Sequence, residues 1–441
     1  PPRAALESPP VPTPEPAPVE PSGPRAPSDG VFGGRIFTYA RLPLQDPLNL
    51  PFHQVSASAW LEAHPRFNDV TWAHVTLTAD ALAKTVDGET GFRGTIREAY
   101  VAAAKSGWEV RLGQQIIAWG NADGVNPTDV LGARNYAFFS ADSEVRRIGA
   151  ISVRGSYTPD EGNSPFSFTL IATPVAPSSR LLLPPDVLAP GVVVEGVSQP
   201  AVTLDNVETA GRVAYAGSGW DVAVVGFRGF NHTPELSLVS VTPTPPPPAV
   251  VLEQVLRRNI VVGLEGSYSP GKWVLRAEAA YLWNLDFQGL DMTTQPSNAH
   301  AVVGAERPLG ERLRIQAQAV SKLAPRFRDP DDTTDPDPVL TPFQRAVAQT
   351  NAVLLNYTEQ LRLAGTLRVA FTTEDELFEA ELFALGNVFG LDGLVRPMAT
   401  LRPTDGLRLS LGSEILFGGT TTPFGALRRY GGGFFEARYT F

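Results

Sequence analysis

One pattern constrains this chain more than any other: from Gly33 to Phe441 its apolar residues recur with a period of two. In 272–283 the odd positions read Trp273, Leu275, Ala277, Ala279, Tyr281 and Trp283, and the even positions include Lys272, Arg276 and Glu278. Successive side chains of a strand point to opposite faces, so one face is apolar and the other charged. The apolar face begins and ends on aromatics, the order expected across a bilayer, where Trp and Tyr rings settle at both interfaces. The same two-faced pattern returns at Leu313, Ile315, Ala317 and Ala319 against Arg314, Gln316 and Gln318, and at Leu407, Leu409 and Leu411 against Arg408 and Ser410.

The connections separate a barrel from a sandwich. Alternating segments fall near 34–42, 53–62, 69–80, 95–104, 108–117, 147–157, 166–173, 206–217, 219–228, 253–268, 272–283, 299–307, 311–322, 357–372, 377–386, 394–402, 406–417 and 433–441, about 18 in all. Every second connection is short, as at Lys105-Ser106-Gly107, Gly217-Ser218-Gly219 and Ser269-Pro270-Gly271. The others are mostly long: 118–146, 174–205, 229–252, 284–298, 323–356 and 418–432. Short periplasmic turns alternating with long extracellular loops are the mark of an outer-membrane barrel. The segment 235–241 also alternates but breaks this parity as a spanning strand, so it is expected in a loop extension. The expected fold is an all-β, transmembrane antiparallel β-barrel of about 18 strands over 33–441.

Composition narrows the alternatives. Among 441 residues there is no Cys, which excludes disulfide scaffolds, thiol catalysis and Cys-ligated metals. Gly and Pro number 40 and 41, against a mostly helical protein. The net charge of −10 disfavours nucleic acid as a partner. No apolar run is long enough for a transmembrane helix. Residues 1–32 are rich in Pro, Ala, Ser and Glu; they are expected to form a disordered, polyproline-like periplasmic tail, a candidate docking segment for a periplasmic partner. The opening Pro1-Pro2-Arg3 is expected to follow a removed signal peptide.

The last segment places Phe435, Ala437, Tyr439 and Phe441 on one face. It resembles the terminal-strand signal read by the barrel assembly machinery of Gram-negative bacteria, with Tyr439 and Phe441 as its aromatics. In the long connection 323–356, Thr341-Pro342 reads as a helix N-cap with Pro at the first helical position, and a short helix to about Leu355 follows. The acidic run from Asp329 to Pro338 and the Pro-rich run Pro243–Pro248 read as exposed loops. At an outer-membrane rim the acidic run is a candidate for holding divalent cations that bridge lipopolysaccharide.

The polar faces define the expected lumen: Arg111, Arg276, Arg312, Arg314, Arg362, Arg368, Arg396, Arg402 and Arg408, joined by Arg154, Arg212 and Arg438, against nine acids that include Glu109, Glu208, Glu265, Glu278, Glu379, Glu381 and Glu436. Two readings stay open. Cross-strand pairs hold the wall together, or an arginine excess attracts anionic solutes.

The most specific local motif is Arg111-Leu112-Gly113-Gln114-Gln115, then Trp119-Gly120, then Asn126-Pro127-Thr128-Asp129. Here, over 95–157, the chain resembles a family of proteobacterial outer-membrane barrels related to the alginate-export porins, which carry RLGRQ…WG and a loop ending N-P-x-D. Gln114 stands where that family usually has Arg or Lys. The resemblance implies an outer-membrane channel of about 18 strands. The loop is expected either to fold on itself or to bend into the lumen as a constriction, with Trp119, Asp123, Asn126 and Asp129 as its candidate residues. Asp123, Asn126 and Asp129 carry oxygen ligands, but their spacing is not that of an EF-hand, and neither a metal nor a cofactor is expected.

Five histidines and no Gly-x-Ser-x-Gly elbow or Walker loop argue against an enzyme. The expected function is a porin-like channel for polar or anionic solutes, with polysaccharide export as one version. The alternative is a non-conducting barrel that anchors or docks partners of an envelope complex. The expected surroundings are outer-membrane lipid and lipopolysaccharide of a Gram-negative bacterium.

Overall fold

The structure is a computed structural model that describes residues 32–43, 54–84, 88–122, 124–140, 142–182, 191–242, 248–288, 292–330 and 341–441. Segment 1–31, the Pro-rich stretch 243–247 and all but the first residues of the acidic run lie outside the described residues.

The alternating segments form one 18-stranded antiparallel sheet. Each barrel strand pairs with the next in chain order, and the first, Phe32–Pro43, pairs with the last, Gly432–Thr440. Phe32, placed in the tail by composition, is therefore a wall residue. The ring closes through a reciprocal pair of bonds in which the Gly34 and Phe441 amides each donate to the other's carbonyl at 3.0 Å. Closure removes the sheet edge, which hydrocarbon cannot tolerate because each unsatisfied backbone group there costs several kcal/mol.

The faces divide by environment. Val224 is 54% exposed and Leu264 55%, while Glu265 and Glu278, on the opposite face, are 0% and 2% exposed. This distribution is inside-out for a water-soluble protein and correct for a lipid-facing wall around a polar interior. Aromatics mark the short-turn end: Trp108 stacks on Tyr157 at 4.3 Å, Tyr215 on Trp220 at 4.9 Å, and Tyr439 on Phe441 at 6.3 Å between ring centroids. Tyr281 and Trp283, 4.5 Å apart, stand toward the other end. Among the described residues no helix is long and apolar enough to span a membrane.

The turn Ser106-Gly107 shows why the short connections read as they do. Both residues have positive φ, 50° and 80°, as a two-residue hairpin turn of primed type requires. A Cβ on Gly107 would lie 2.1 Å from the Thr158 carbonyl oxygen.

At the long-loop end the connections fold on each other. Val192–Ser198 runs parallel to Ala249–Val255, which pairs antiparallel with Glu235–Thr242, so the 235–241 segment belongs to a separate three-stranded sheet. The helix Pro342–Leu354 starts at Thr341 with a capping box to Gln344. It lays Val347 against Leu236, Val250 and Leu252. Asn351 fixes it there, accepting from the Leu236 amide at 2.8 Å and donating to the Leu236 carbonyl at 2.9 Å. Two wall strands begin later than the alternation indicates, at Arg258 and Leu361, because the preceding residues serve this rim.

Ring closure is the step most exposed to the last strand. The Tyr439→Ala/Phe441→Ala variant removes two lipid-facing rings beside the closing pair. Its heat-modifiable folded form should fall well below the unmodified level in outer-membrane fractions on gel electrophoresis; equal levels would show that these rings contribute nothing to assembly.

Candidate functional site

The strands Trp108–Gln115 and Ala150–Tyr157 are short, and the chain leaves the wall between them. The segment 116–149 does not rise from the rim. It turns inward and fastens to inward-facing side chains on more than one arc of the wall.

Its first half is held by an apolar patch and one carboxylate. Ile117, Trp119 and Leu131 pack on Ile171, Ala210, Val225, Phe227, Val261 and Ala280, all buried. These wall residues come from five neighbouring strands on their inward faces. The loop thus removes from water an apolar area that would otherwise face the lumen, at roughly 25 cal/mol per Å². Glu278 projects from the middle of Val274–Asn284 and accepts from the Asn121 and Ala122 amides, each at 2.5 Å, and from Thr128 Oγ1 at 2.8 Å. Asn126 Oδ1 also accepts from the Ala122 amide, at 3.1 Å. That turn needs Gly120, whose φ is 95°; a Cβ there would meet Asn126 Oδ1 at 2.6 Å. Asn121 Nδ2 donates to Asp221 at 3.3 Å. A Cβ on Gly124 would lie 3.9 Å from the Phe383 ring, on another arc of the wall.

The second half crosses to the strands around the closing seam. Asp129 accepts from Arg134 at 2.8 Å and Arg147 at 2.9 Å, bracing the loop internally. Gln54 bonds both backbone groups of Phe139, at 3.0 and 2.9 Å. Lys84 Nζ donates to the Ala137 carbonyl at 3.0 Å. Arg438 donates to Asp142 at 2.8 Å. Arg97 takes the carbonyls of Glu144, Val145 and Arg147 at 2.6, 3.2 and 2.9 Å. It can do so because the strand Thr90–Lys105 bulges there: Glu98 pairs with Thr76 and Ile96 with Leu77, leaving Arg97 outside the ladder. A bulge re-aims a side chain in this way.

Trp119, Asn126 and Asp129 are therefore brought together in one inward loop, each with a defined partner. Asp123 lies outside the described residues. The anchors Glu278, Arg97 and Arg438 lie far from the loop in sequence. Their only sequence signal was polarity on a wall face, and for Arg97 a break in the parity of its strand.

The expected lumen arginines are mostly engaged with acids. Arg111 meets Glu109 at 2.5 Å, Arg402 meets Glu379 at 2.5 Å, and Arg276 meets Glu306 at 2.9 Å. Arg314 also reaches Glu306, at 3.5 Å, and Arg362 reaches Asp392 at 3.5 Å. Arg368 and Arg396 share Glu381 at 2.6 and 3.3 Å. Arg312 stands in the turn before Leu313–Leu323, half exposed, and pairs with Glu374 of the adjacent turn. It belongs to the rim rather than the wall. Arg408 faces Arg438 across the ladder and has no ion pair among the described residues. Burial of single charges is costly unless they are paired, which accounts for this pattern.

No protein-family model matches the chain, and no curated protein matches it. Among solved structures it is similar to a triple variant of the porin of Rh. blastica, at 11% identity and a TM-score of 0.41, over 93% of this chain and 99% of that one. It is also similar to an OmpT lacking loop L8, an outer membrane protein of Vibrio cholerae, at 12% identity and a TM-score of 0.42, over 93% of this chain and 98% of that one.

Glu278 is the testable anchor. Glu278→Ala removes a charged acceptor from three donors, a loss of about 1.5–3 kcal/mol, so the Asn121 and Ala122 amides should exchange hydrogen at least about tenfold faster. Unchanged protection at these two amides, with the barrel still heat-modifiable, would show that the loop is held without Glu278.

Proposed function

We propose that the chain is an outer-membrane channel of a Gram-negative envelope, narrowed by the segment 116–149, that passes small polar solutes. The observation that supports this most is the inward loop held by Glu278 across a polar interior. A wall of 16 to 18 strands is wide enough to enclose water, and a loop fastened to opposite arcs of such a wall sets the width of the passage. The motif that resembles the alginate-export barrels supplies the fastening: Trp119 fills the apolar patch, Asn126 shapes the turn, Thr128 reaches Glu278, and Asp129 gathers two arginines. This favours a size-selecting constriction built by the motif. Export of an acidic polysaccharide is the finer version of the same reading.

The rim sheet and its helix favour a second reading, a barrel that presents a folded cap to partner proteins. Purified protein in a planar bilayer separates the two. The channel reading expects discrete current steps, severalfold larger in Glu278→Ala. Absence of current from both proteins would overturn it and favour the docking barrel.

The ion pairs also set the expected selectivity. Each lumen charge is screened over roughly 8–10 Å at physiological salt, and most arginines are matched by an acid. The unmodified channel should therefore select only weakly between ions. Arg368→Gln leaves Glu381 with Arg396 alone and should move the reversal potential in a salt gradient toward cations. A shift toward anions would contradict this pairing.

A further inference from the structure

Besides Arg408, the pairing rule fails on the arc formed by Trp108–Gln115 and Ala150–Tyr157. Arg111 and Arg154 stand directly opposite each other on adjacent strands. Both face the lumen: Glu109 and Ser152 on the same faces are buried, while Val110, Leu112 and Val153 are exposed outward. Like charges placed opposite one another destabilise a sheet, so an acid shared by both is expected, yet Arg154 has no ion pair among the described residues. Glu109 is engaged by Arg111 Nε at 2.5 Å. The next acid along the arc, Glu265, is engaged by Arg212 at 3.0 Å. Arg111 and Arg212 both act on Arg154 as like charges, and Glu109, already engaged by Arg111, opposes them. Arg154 makes a single hydrogen bond among the described residues, from Nε to Ser156 Oγ at 3.4 Å, and its two Nη groups have no protein partner there.

We propose that Arg154, flanked by Arg111 and Arg212, is a binding step for an oxyanion of a passing solute, a carboxylate or a phosphate. The chemistry of the arc fits such a group. A guanidinium presents parallel N–H donors that match two oxygens of a carboxylate or phosphate, and charge-assisted bonds of this kind are about twice as strong as neutral ones. The anion relieves the repulsion between Arg111 and Arg154, so part of its affinity comes from the wall itself. Neutral hydroxyls surround the fork: Ser156 Oγ lies 3.2 Å from Thr169 Oγ1, and Tyr100 Oη accepts from Arg111 at 3.4 Å, keeping its own proton to donate. Arg154 is only partly buried, so the site trades its anion with lumen water and serves as a step rather than a trap. The inference rests on the channel reading in one respect, that solute reaches the lumen.

Line broadening of 13C-acetate and of 31P-phosphate by the full chain in micelles tests it without any need for current. Both resonances should broaden with the unmodified protein. The broadening should fall severalfold in Arg154→Gln, survive in part in Arg154→Lys, and persist in Arg312→Gln, whose arginine pairs with Glu374 between the turns. Broadening of acetate alone would assign the site to carboxylates, and of phosphate alone to phosphates. Should Arg154→Gln lose its heat-modifiable form, Thr169→Glu keeps all three arginines and supplies an internal carboxylate beside Ser156, and it should abolish broadening by competition. Equal broadening in Arg154→Gln, or in Thr169→Glu, overturns the proposal. Broadening together with an absence of bilayer current leaves the site standing and overturns the channel reading.

Discussion

The fold depends on one requirement: every backbone amide and carbonyl within the hydrocarbon must find a partner in the chain. Antiparallel pairing satisfies all strands except the two outermost, and only the ladder between Phe32–Pro43 and Gly432–Thr440 satisfies those. The meander order, the short turns at one end and the apolar outer face all follow. A closed ring leaves no edge at which another chain could add. The ring also encloses an interior that no hydrophobic core fills, and the remaining structure is a response to that interior.

Two devices fill it. The first is charge pairing along and between strands, as at Arg368, Arg396 and Glu381, which lets a polar wall exist without isolated charges. The second is the segment 116–149, which carries Ile117, Trp119 and Leu131 to one apolar arc of the inner wall, Phe139 to a smaller apolar patch of Tyr39, Met398 and Phe434 at the seam, and polar groups elsewhere. Val225, Phe227 and Val261 are buried although they face the lumen, because Ile117, Trp119 and Leu131 cover them. Loop and wall are complementary, and Glu278 sets the register between them. On the arc of Arg111, Arg154 and Arg212 the wall sets arginine against arginine, and there, on our proposal, an oxyanion of a solute completes the pairing.

The rim repeats the logic of a water-soluble domain on a small scale. Leu236, Val250 and Leu252 are buried under a helix, in contrast to the lipid-facing valines of the wall. Two solvents therefore act on one chain. The alternation in Glu235–Thr242 looks like that of a spanning strand, but its apolar face meets a helix instead of lipid.

The sequence by itself determined the class of fold and the identity of the wall strands. A period of two with outward apolar residues, and connections alternating in length, leaves few other solutions, since both signals are local and repeat in every hairpin. The helix after Thr341 was legible for the same reason: its cap is written in adjacent residues. The inward path of 116–149 was open in the sequence, because turn residues such as Asn126 and Pro127 shape a loop without stating where it docks. Its anchors became visible only with the tertiary structure. Glu278 lies 157 residues from Asn121, and Arg97 reaches the loop only through a bulge. The balance of the lumen arginines was likewise decided in three dimensions. Arg154 and Arg368 read alike in sequence, but one stands opposite another arginine and the other, opposite Gln316 and Phe383, reaches Glu381 diagonally, and only strand register distinguishes them.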